Sequence, residues 1–280
     1  MNTIKTTLQR FPSISRLEIE TIIAHVLKKT REFILISPEH EITRSQIGRI
    51  GKLVQRREEG EPLAYLTGHK EFYGLDFSVD SNVLVPRPET ELIIDELLAQ
   101  AAKKSPAAII DVGTGSGCIA ITLAKLLNDR SIKFFAIDIS EPALRIAKRN
   151  AHKHGVGRRV RFVAGDLLSP LPKFKIEAGS RVIITANLPY LSPSQIDASP
   201  SIRKEPRLAL ESGADGLKHY RQLFRQIRQS GFTDFNLLCE IDETQGASMA
   251  ALIRKELPQA KFEIKQDLGH YDRLAVINSK

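Results

Sequence analysis

A short apolar run that ends in an acid and three alternating glycines, Ala108-Ile109-Ile110-Asp111-Val112-Gly113-Thr114-Gly115-Ser116-Gly117, limits the possible folds of this chain more than any other stretch. The run is too short for a helix, and apolar spacing resumes afterwards at Ile119, Ile121, Leu123, Ala124 and Leu127, so the order is strand, tight turn, helix. Glycine lets the backbone take positive φ and approach a ligand closely, while a helix starting near Ser116 turns its free N–H groups to the same space. That is a nucleotide-type cradle. Its spacing excludes two common versions. A dinucleotide turn needs the third glycine one place later, where Cys118 stands, and a phosphate loop needs a lysine that does not follow here.

The pattern recurs downstream. Lys133-Phe134-Phe135-Ala136-Ile137-Asp138 is a second buried strand, and its terminal acid lies 23 residues beyond Gly115. A parallel βαβ unit puts an acid there beside ribose hydroxyls. A third strand over residues 160–164 leads into Gly165-Asp166-Leu167, placed for an adenine amino group. Asp111, Asp138 and Asp166 thus share one sheet edge, where open α/β sheets bind ligands. Asp-x-Gly-x-Gly-x-Gly resembles the first motif of the class I S-adenosylmethionine-dependent methyltransferases. The resemblance implies S-adenosylmethionine as cofactor, held by Gly113, Thr114, Gly115, Ser116 and Gly117 with Asp138, Asp166, Leu167 and Asn187.

Before this unit the period is helical. Ile19, Ile22, Ile23, Val26 and Leu27 line one face of a helix within residues 13–29, entered through Ser13 or Ser15. Ile47, Ile50 and Val54 line another over about 43–59, closed by Gly60-Glu61-Pro62. Residues 1–70 therefore read as a small helical domain with no recognisable catalytic group, suited to packing or partner docking. Alternation follows at Phe72, Tyr73, Leu75, Phe77 and Val79, and again at Val83-Leu84-Val85. Asp80-Ser81-Asn82 between them predicts a β-hairpin linker over 71–88. Pro88 suits a helix start, and residues 89–280 read as the α/β domain. Arg87 is either a solvated linker cation or a clamp on a ligand carboxylate.

Composition narrows the class. With 42% hydrophobic residues in 280, a large core is available, and 41 Lys and Arg against 33 Asp and Glu leave +8. Two cysteines offer neither a disulfide framework nor metal-ligand spacing, so no metal is expected. No signal-type segment and no run of 18 apolar residues are present, which predicts a cytoplasmic protein without a membrane partner. Arg145, Lys148, Arg149, Lys153, Arg158, Arg159 and Arg161 form the densest one-signed cluster, either a solvated face or a contact for an anionic macromolecule.

A fourth buried strand over residues 181–186 delivers Asn187-Leu188-Pro189-Tyr190 to the same edge. Amino nitrogens conjugated to a carbonyl or ring donate poorly. Methylating one requires its N–H bonds to be accepted in a fixed direction, by the Asn187 carbonyl and by a backbone carbonyl held by Pro189, with Tyr190 packed on the planar group. Residues 188–214 form a long connection, of the length that usually carries function. A helix through Leu217, Tyr220, Phe224 and Ile227 follows, then a strand over 235–241, a helix over about 245–256 and two final strands.

Four stretches are similar to the PrmC/HemK protein-(glutamine-N5) methyltransferases: Gly68-His69-Lys70-Glu71-Phe72-Tyr73-Gly74 with Val85-Pro86-Arg87-Pro88-Glu89-Thr90-Glu91; Asp111 to Gly117; Asn187 to Tyr190; and Glu205-Pro206-Arg207-Leu208-Ala209-Leu210 with Asp215-Gly216-Leu217 and Tyr220-Arg221. The resemblance implies an N-terminal helical bundle, a hairpin linker and a Rossmann-like seven-stranded sheet with its last strand antiparallel. It implies methyl transfer to the glutamine of the Gly-Gly-Gln motif in class 1 peptide-chain release factors. Asn187, Pro189 and Tyr190 would be catalytic, and Leu188, Phe72 and Arg87 would join them in holding substrate. Leu188 stands where the family usually has proline, as in the ribosomal RNA adenine dimethyltransferases, and Glu211-Ser212-Gly213 replaces a common Phe-Gly-Gly. An amino methyltransferase acting on adenine or cytosine in ribosomal RNA or DNA is the alternative. Nucleic-acid contact is possible without being the expected substrate.

Overall fold

The computed structural model describes residues 2–174, 176, 177 and 179–279. Its contacts divide into two compact units, the residues through His69 with Ser199–Lys204, and the remainder. The first unit is helical: α1 (Ile4–Arg10), α2 (Arg16–Leu27), α3 (Arg31–Ile36), α4 (Arg44–Glu58) and α5 (Leu63–Thr67). Reciprocal caps start α2 and α4, where Ser15 and Thr43 accept the backbone N–H of Glu18 and Gln46 and receive those side chains in return. Ile19, Ile22, Ile23 and Val26 of α2 meet Ile50 and Val54 of α4 in the core, as their spacing requires. The short α1 and α3 were not foreseen, since a single capped turn or two leaves little periodicity to read.

A hairpin of β1 (His69–Phe72) and β2 (Leu75–Ser78) follows, all but His69 within the second unit. Its turn is Tyr73-Gly74, both at positive φ, and not Asp80-Ser81-Asn82 as expected. The latter segment instead makes an Asx turn, with Asp80 Oδ1 accepting the Asn82 N–H at 2.9 Å. Tyr73 is held in its uncommon conformation from outside the hairpin. Its N–H donates to Glu91 Oε1 at 2.8 Å and its hydroxyl to Asp95 Oδ1 at 2.8 Å. Phe72 and Phe77 pack into the larger unit's core, so residues 71–88 are part of that unit's structure.

Seven strands follow: β3 (Ala108–Val112), β4 (Lys133–Asp138), β5 (Val160–Ala164), β6 (Val182–Ala186), β7 (Phe235–Glu240), β8 (Lys261–Gln266) and β9 (Asp272–Asn278), in the order β5-β4-β3-β6-β7-β9-β8. All pairs from β5 to β7 are parallel, and the final strand β9 runs antiparallel to both neighbours, as the resemblance implied. Alternate residues face opposite cores. Ile109, Ile183 and Leu238 meet α6 (Glu91–Lys103) and α7 (Cys118–Leu126), while Ile110, Ile184 and Leu237 meet α10 (Lys218–Gln229) and α11 (Gly246–Glu256). Burial on both faces explains why these strands read as unbroken apolar runs. Between them lie α8 (Glu141–Lys153) and α9 (Pro193–Ala198). Among the described residues no helix is long and apolar enough to cross a membrane.

Strand order reverses between β3 and β6, so their carboxyl ends diverge into separate loops and leave a crevice. The loop after β6 is anchored by a parallel bridge between Leu191 and Glu211 and by Gly216, whose φ is +68°. A Cβ at Gly216 would collide with the Tyr190 carbonyl oxygen and the Gln245 amide. Gly216→Ala should therefore destabilise the protein by about 2–3 kcal/mol through backbone strain and clash. Urea unfolding with an unshifted midpoint would show that the turn tolerates a side chain.

Candidate active site

The strand ends are built around a buried acid. Asp111 and Thr185 are register partners on β3 and β6, and Asp111 accepts the hydroxyl hydrogens of Thr185 at 2.8 Å and Thr114 at 2.6 Å. Burial pushes its carboxyl up to about 6. Asp111 was expected to face the ligand with Asp138 and Asp166, but lies beneath the glycine turn because its neighbours on both strands enclose it. The N–H groups of Gly113 and Thr114 donate to Ile137 O, both at 2.9 Å, folding the turn back over β4. A Cβ at Gly115, where φ is +55°, would meet only the Gly113 carbonyl oxygen at 4.0 Å, leaving room for a ligand against its backbone.

Asp138 completes the cradle. One carboxylate oxygen accepts the Gly115 N–H and the other the Ser140 N–H, each at 2.8 Å, so both keep a lone pair for a diol. Burial pushes its carboxyl above the usual carboxylate range, against those two backbone bonds. Asp166 is exposed and held by Gln222 Nε2 at 2.7 Å, and the neighbouring Leu167 is buried at φ +51°. A cavity of about 250 Å³ joins Thr114, Ser116, Asp138, Asp166, Leu167 and Asn187.

Asn187 enters this cavity from the end of β6. Its Nδ2 donates to Thr90 Oγ1 at 3.0 Å, and Thr90 also lines the cavity. Leu188 is buried, with its methyl groups against the Gly113 backbone and its N–H donating to the Tyr220 hydroxyl at 3.3 Å. Tyr190 reaches away from the cavity. Its hydroxyl donates to Glu240 Oε1 at 3.3 Å, and its carbonyl accepts from Gln245 Nε2 at 3.0 Å. Burial, and then the nearby Glu240 carboxyl, push the Tyr190 phenol far up. Glu240 is itself buried, which raises its carboxyl to about 7.

Like Tyr190, Phe72 and Arg87 were expected against substrate and are placed elsewhere. Phe72 is 1% exposed, with its ring edge-on to Phe77 in the core, and cannot wall a slot. Arg87 does clamp a carboxylate, but it is the chain's own: its guanidinium pairs with buried Glu205, whose other oxygen accepts the Val85 N–H at 3.1 Å. The basic run is also partly consumed. Lys153 and Arg149 pair with Asp76 and Asp80, and Arg159 donates to the carbonyls of Ala124, Leu127 and Asp129 at the end of α7. Among the described residues no cluster of His, Cys, Asp or Glu could hold a metal ion.

Two stretches of the chain match known families. Residues 4–68 match the PrmC N-terminal domain, and residues 103–267 a methyltransferase domain. The chain is 39% identical over 92% of its length to the release factor glutamine methyltransferase of Nitratidesulfovibrio vulgaris, covering 86% of that protein. The chain belongs to the release factor glutamine methyltransferase family. The Bacillus subtilis enzyme of this name is 37% identical, with 91% of this chain and 88% of that one aligned. In fold, the chain is similar to the N-terminal domain of human METTL16 in complex with S-adenosylhomocysteine, with a TM-score of 0.51 at 17% identity over 92% and 93% of the two chains.

The cofactor of this methyltransferase is S-adenosylmethionine, and the site fits it. An open glycine backbone at Gly115, a two-oxygen acceptor at Asp138 and a second acid at Asp166 match the amino, hydroxyl and purine groups of a charged nucleoside. Sequence reasoning missed Thr90 as a cavity residue, the Tyr220 hydroxyl and Glu240. Glu240 did carry a signal, since it ends an apolar strand as Asp138 does, but that strand lies far along the chain from the glycines. Asp138→Ala should weaken cofactor binding by roughly 1.5–3 kcal/mol, the worth of a charged hydrogen-bond acceptor. Calorimetry returning wild-type affinity for this variant would take Asp138 out of the site.

Proposed function

We infer that this methyltransferase transfers a methyl group to the side-chain amide nitrogen of the glutamine in the Gly-Gly-Gln motif of class 1 peptide-chain release factors. The observation that carries the reading is Asn187, fixed through its nitrogen to Thr90 and bordering the cavity that holds the cofactor cradle. When bound, S-adenosylmethionine supplies an electrophilic methyl group. The substrate amide nitrogen is a weak donor because its lone pair is delocalised, so its direction must be set by the protein. Asn187 Oδ1 accepts one of its N–H bonds. The Leu188 carbonyl accepts the other, held by Pro189, whose ring fixes the following backbone angle. Tyr190 acts from behind, its hydroxyl and carbonyl both tied to the frame, so that the loop presents these two acceptors rigidly.

No general base is needed before transfer, because a planar nitrogen becomes acidic on alkylation and its proton then leaves to water. Leu188 keeps the backbone acceptor that a proline would offer at the same place. A release-factor substrate places the reaction in the cytoplasm, where Cys118 and Cys239 remain reduced. Exposed Arg145, Lys148 and Arg158 are available to an acidic or nucleic-acid-bound partner without nucleic acid being the substrate.

Incubation with labelled S-adenosylmethionine and a release-factor domain, followed by peptide mass analysis, tests the reading. The methyl group is expected on the glutamine, and a domain ending its loop in Gly-Gly-Glu is expected to stay unmethylated. Asn187→Ala should lower the transfer rate by at least about two decades while cofactor affinity stays within about threefold. A methyl group on adenine, or full-rate transfer by Asn187→Ala, would overturn it.

A further inference from the structure

The Asn187 amide is useful only one way round. With Nδ2 on Thr90 its oxygen serves the cavity, and the reverse orientation would present a donor to a substrate that itself donates. The side chain is symmetric in shape, so its orientation is set by the polarity of its anchor. Thr90 is 1% exposed, and its hydroxyl could as readily donate to an amide oxygen as accept from an amide nitrogen. Something must occupy the hydroxyl hydrogen.

Glu240 stands there. It ends β7 at 3% exposure, with Oε1 taken by the Tyr190 hydroxyl at 3.3 Å and Oε2 buried without a hydrogen-bond partner among the described residues. The Thr90 hydroxyl lies beside this carboxyl and favours its ionised form. An orphaned acceptor oxygen and a hydroxyl whose hydrogen is unassigned are complementary, and leaving such an oxygen buried alone is costly. We propose that Thr90 and Glu240 are positioning residues: the Glu240 carboxylate takes the Thr90 hydroxyl hydrogen, Thr90 Oγ1 is left able only to accept from Asn187 Nδ2, and Asn187 Oδ1 is thereby turned to the substrate amide. The relay rests on the glutamine-methylating role of Asn187.

Protonation state then matters. A proton on Glu240 Oε2 would make it a donor to Thr90 Oγ1, so the carboxyl no longer holds the Thr90 hydrogen, which becomes available to the Asn187 amide oxygen. Burial raises this carboxyl to about 7, Glu89 adds repulsion, Arg273 opposes it, and the Tyr190 hydroxyl favours the anion. The Tyr220 hydroxyl meets the Glu240 backbone carbonyl, and buried Cys239 precedes it. Because the folded value is raised and the anion is the working form, activity is lost as pH falls through about 7.

The test uses the full-length enzyme and a release-factor domain. Thr90→Val keeps the shape and removes the acceptor. It should lower kcat at least about tenfold, with the KM for S-adenosylmethionine and the thermal midpoint near wild type, and Thr90→Ser should restore kcat to within about threefold. Glu240→Gln should lose the acid limb of the wild-type pH–rate profile. Wild-type kcat in Thr90→Val, a defect that Thr90→Ser does not repair, or an acid limb unchanged in Glu240→Gln would each overturn the relay. Failure of the wild-type enzyme to methylate the domain at all would instead overturn the proposed function.

Discussion

The Asp111 carboxylate, seated beneath the glycine turn, pins the central strand ends of the sheet. It is the point where β3 and β6 are joined by side chains as well as by backbone, through the Thr185 hydroxyl across the pair and the Thr114 hydroxyl in the turn. A buried carboxylate is expensive unless its lone pairs are used, and here two short hydroxyl bonds use them. The turn cannot slide along the strand without breaking one. That fixes where Gly115 offers its backbone, and the Gly115 N–H in turn orients Asp138.

Other polar groups hold distant segments to this frame in the same manner. Asn150 on α8 is fully buried. Its Nδ2 donates to the carbonyls of Ser78 and Ser116, and its Oδ1 accepts the Ser78 N–H, so one side chain ties β2 to the glycine turn. Glu205 ties the chain at Val85 and Arg87 to the start of the segment carrying Leu208 and Ala209, both of which line the cavity. The family-specific stretches before β3 and between β6 and β7 are therefore mutual partners. Arg87 is paired with Glu205, so the guanidinium that could have clamped a ligand carboxylate holds one of the chain's own.

What was legible in the sequence follows the range of the interactions involved. Apolar period and chain order suffice for a parallel sheet, so β3 to β7 and the helices α2, α4 and α10 could be read from the residues alone. The strand-end residues Asp138, Asp166 and Asn187 could be read too, because position in a βαβ unit decides where they emerge. The hairpin turn could not. Asp80-Ser81-Asn82 has turn chemistry within itself, whereas Tyr73-Gly74 depends on Glu91 and Asp95 many residues away. Asp111 and Phe72 were misread for the same reason, since whether a side chain near a site faces ligand or core depends on packing partners that no local pattern shows.

Leucine in place of the usual proline at position 188 is explained by one hydrogen bond. The Tyr220 hydroxyl has one hydrogen, shared between the carbonyls of Ala186 at 3.2 Å and Glu240, and a free lone pair. Leu188 supplies an N–H to that lone pair at 3.3 Å, and a proline would leave it empty at a fully buried position. The backbone entropy that a proline would have removed is here constrained by a bond to α10 and by the leucine side chain wedged against Gly113. The same hydroxyl thus joins the ends of β6 and β7 to Leu188. Rigidity at this loop is a property of the pair Leu188 and Tyr220, which neither residue carries alone.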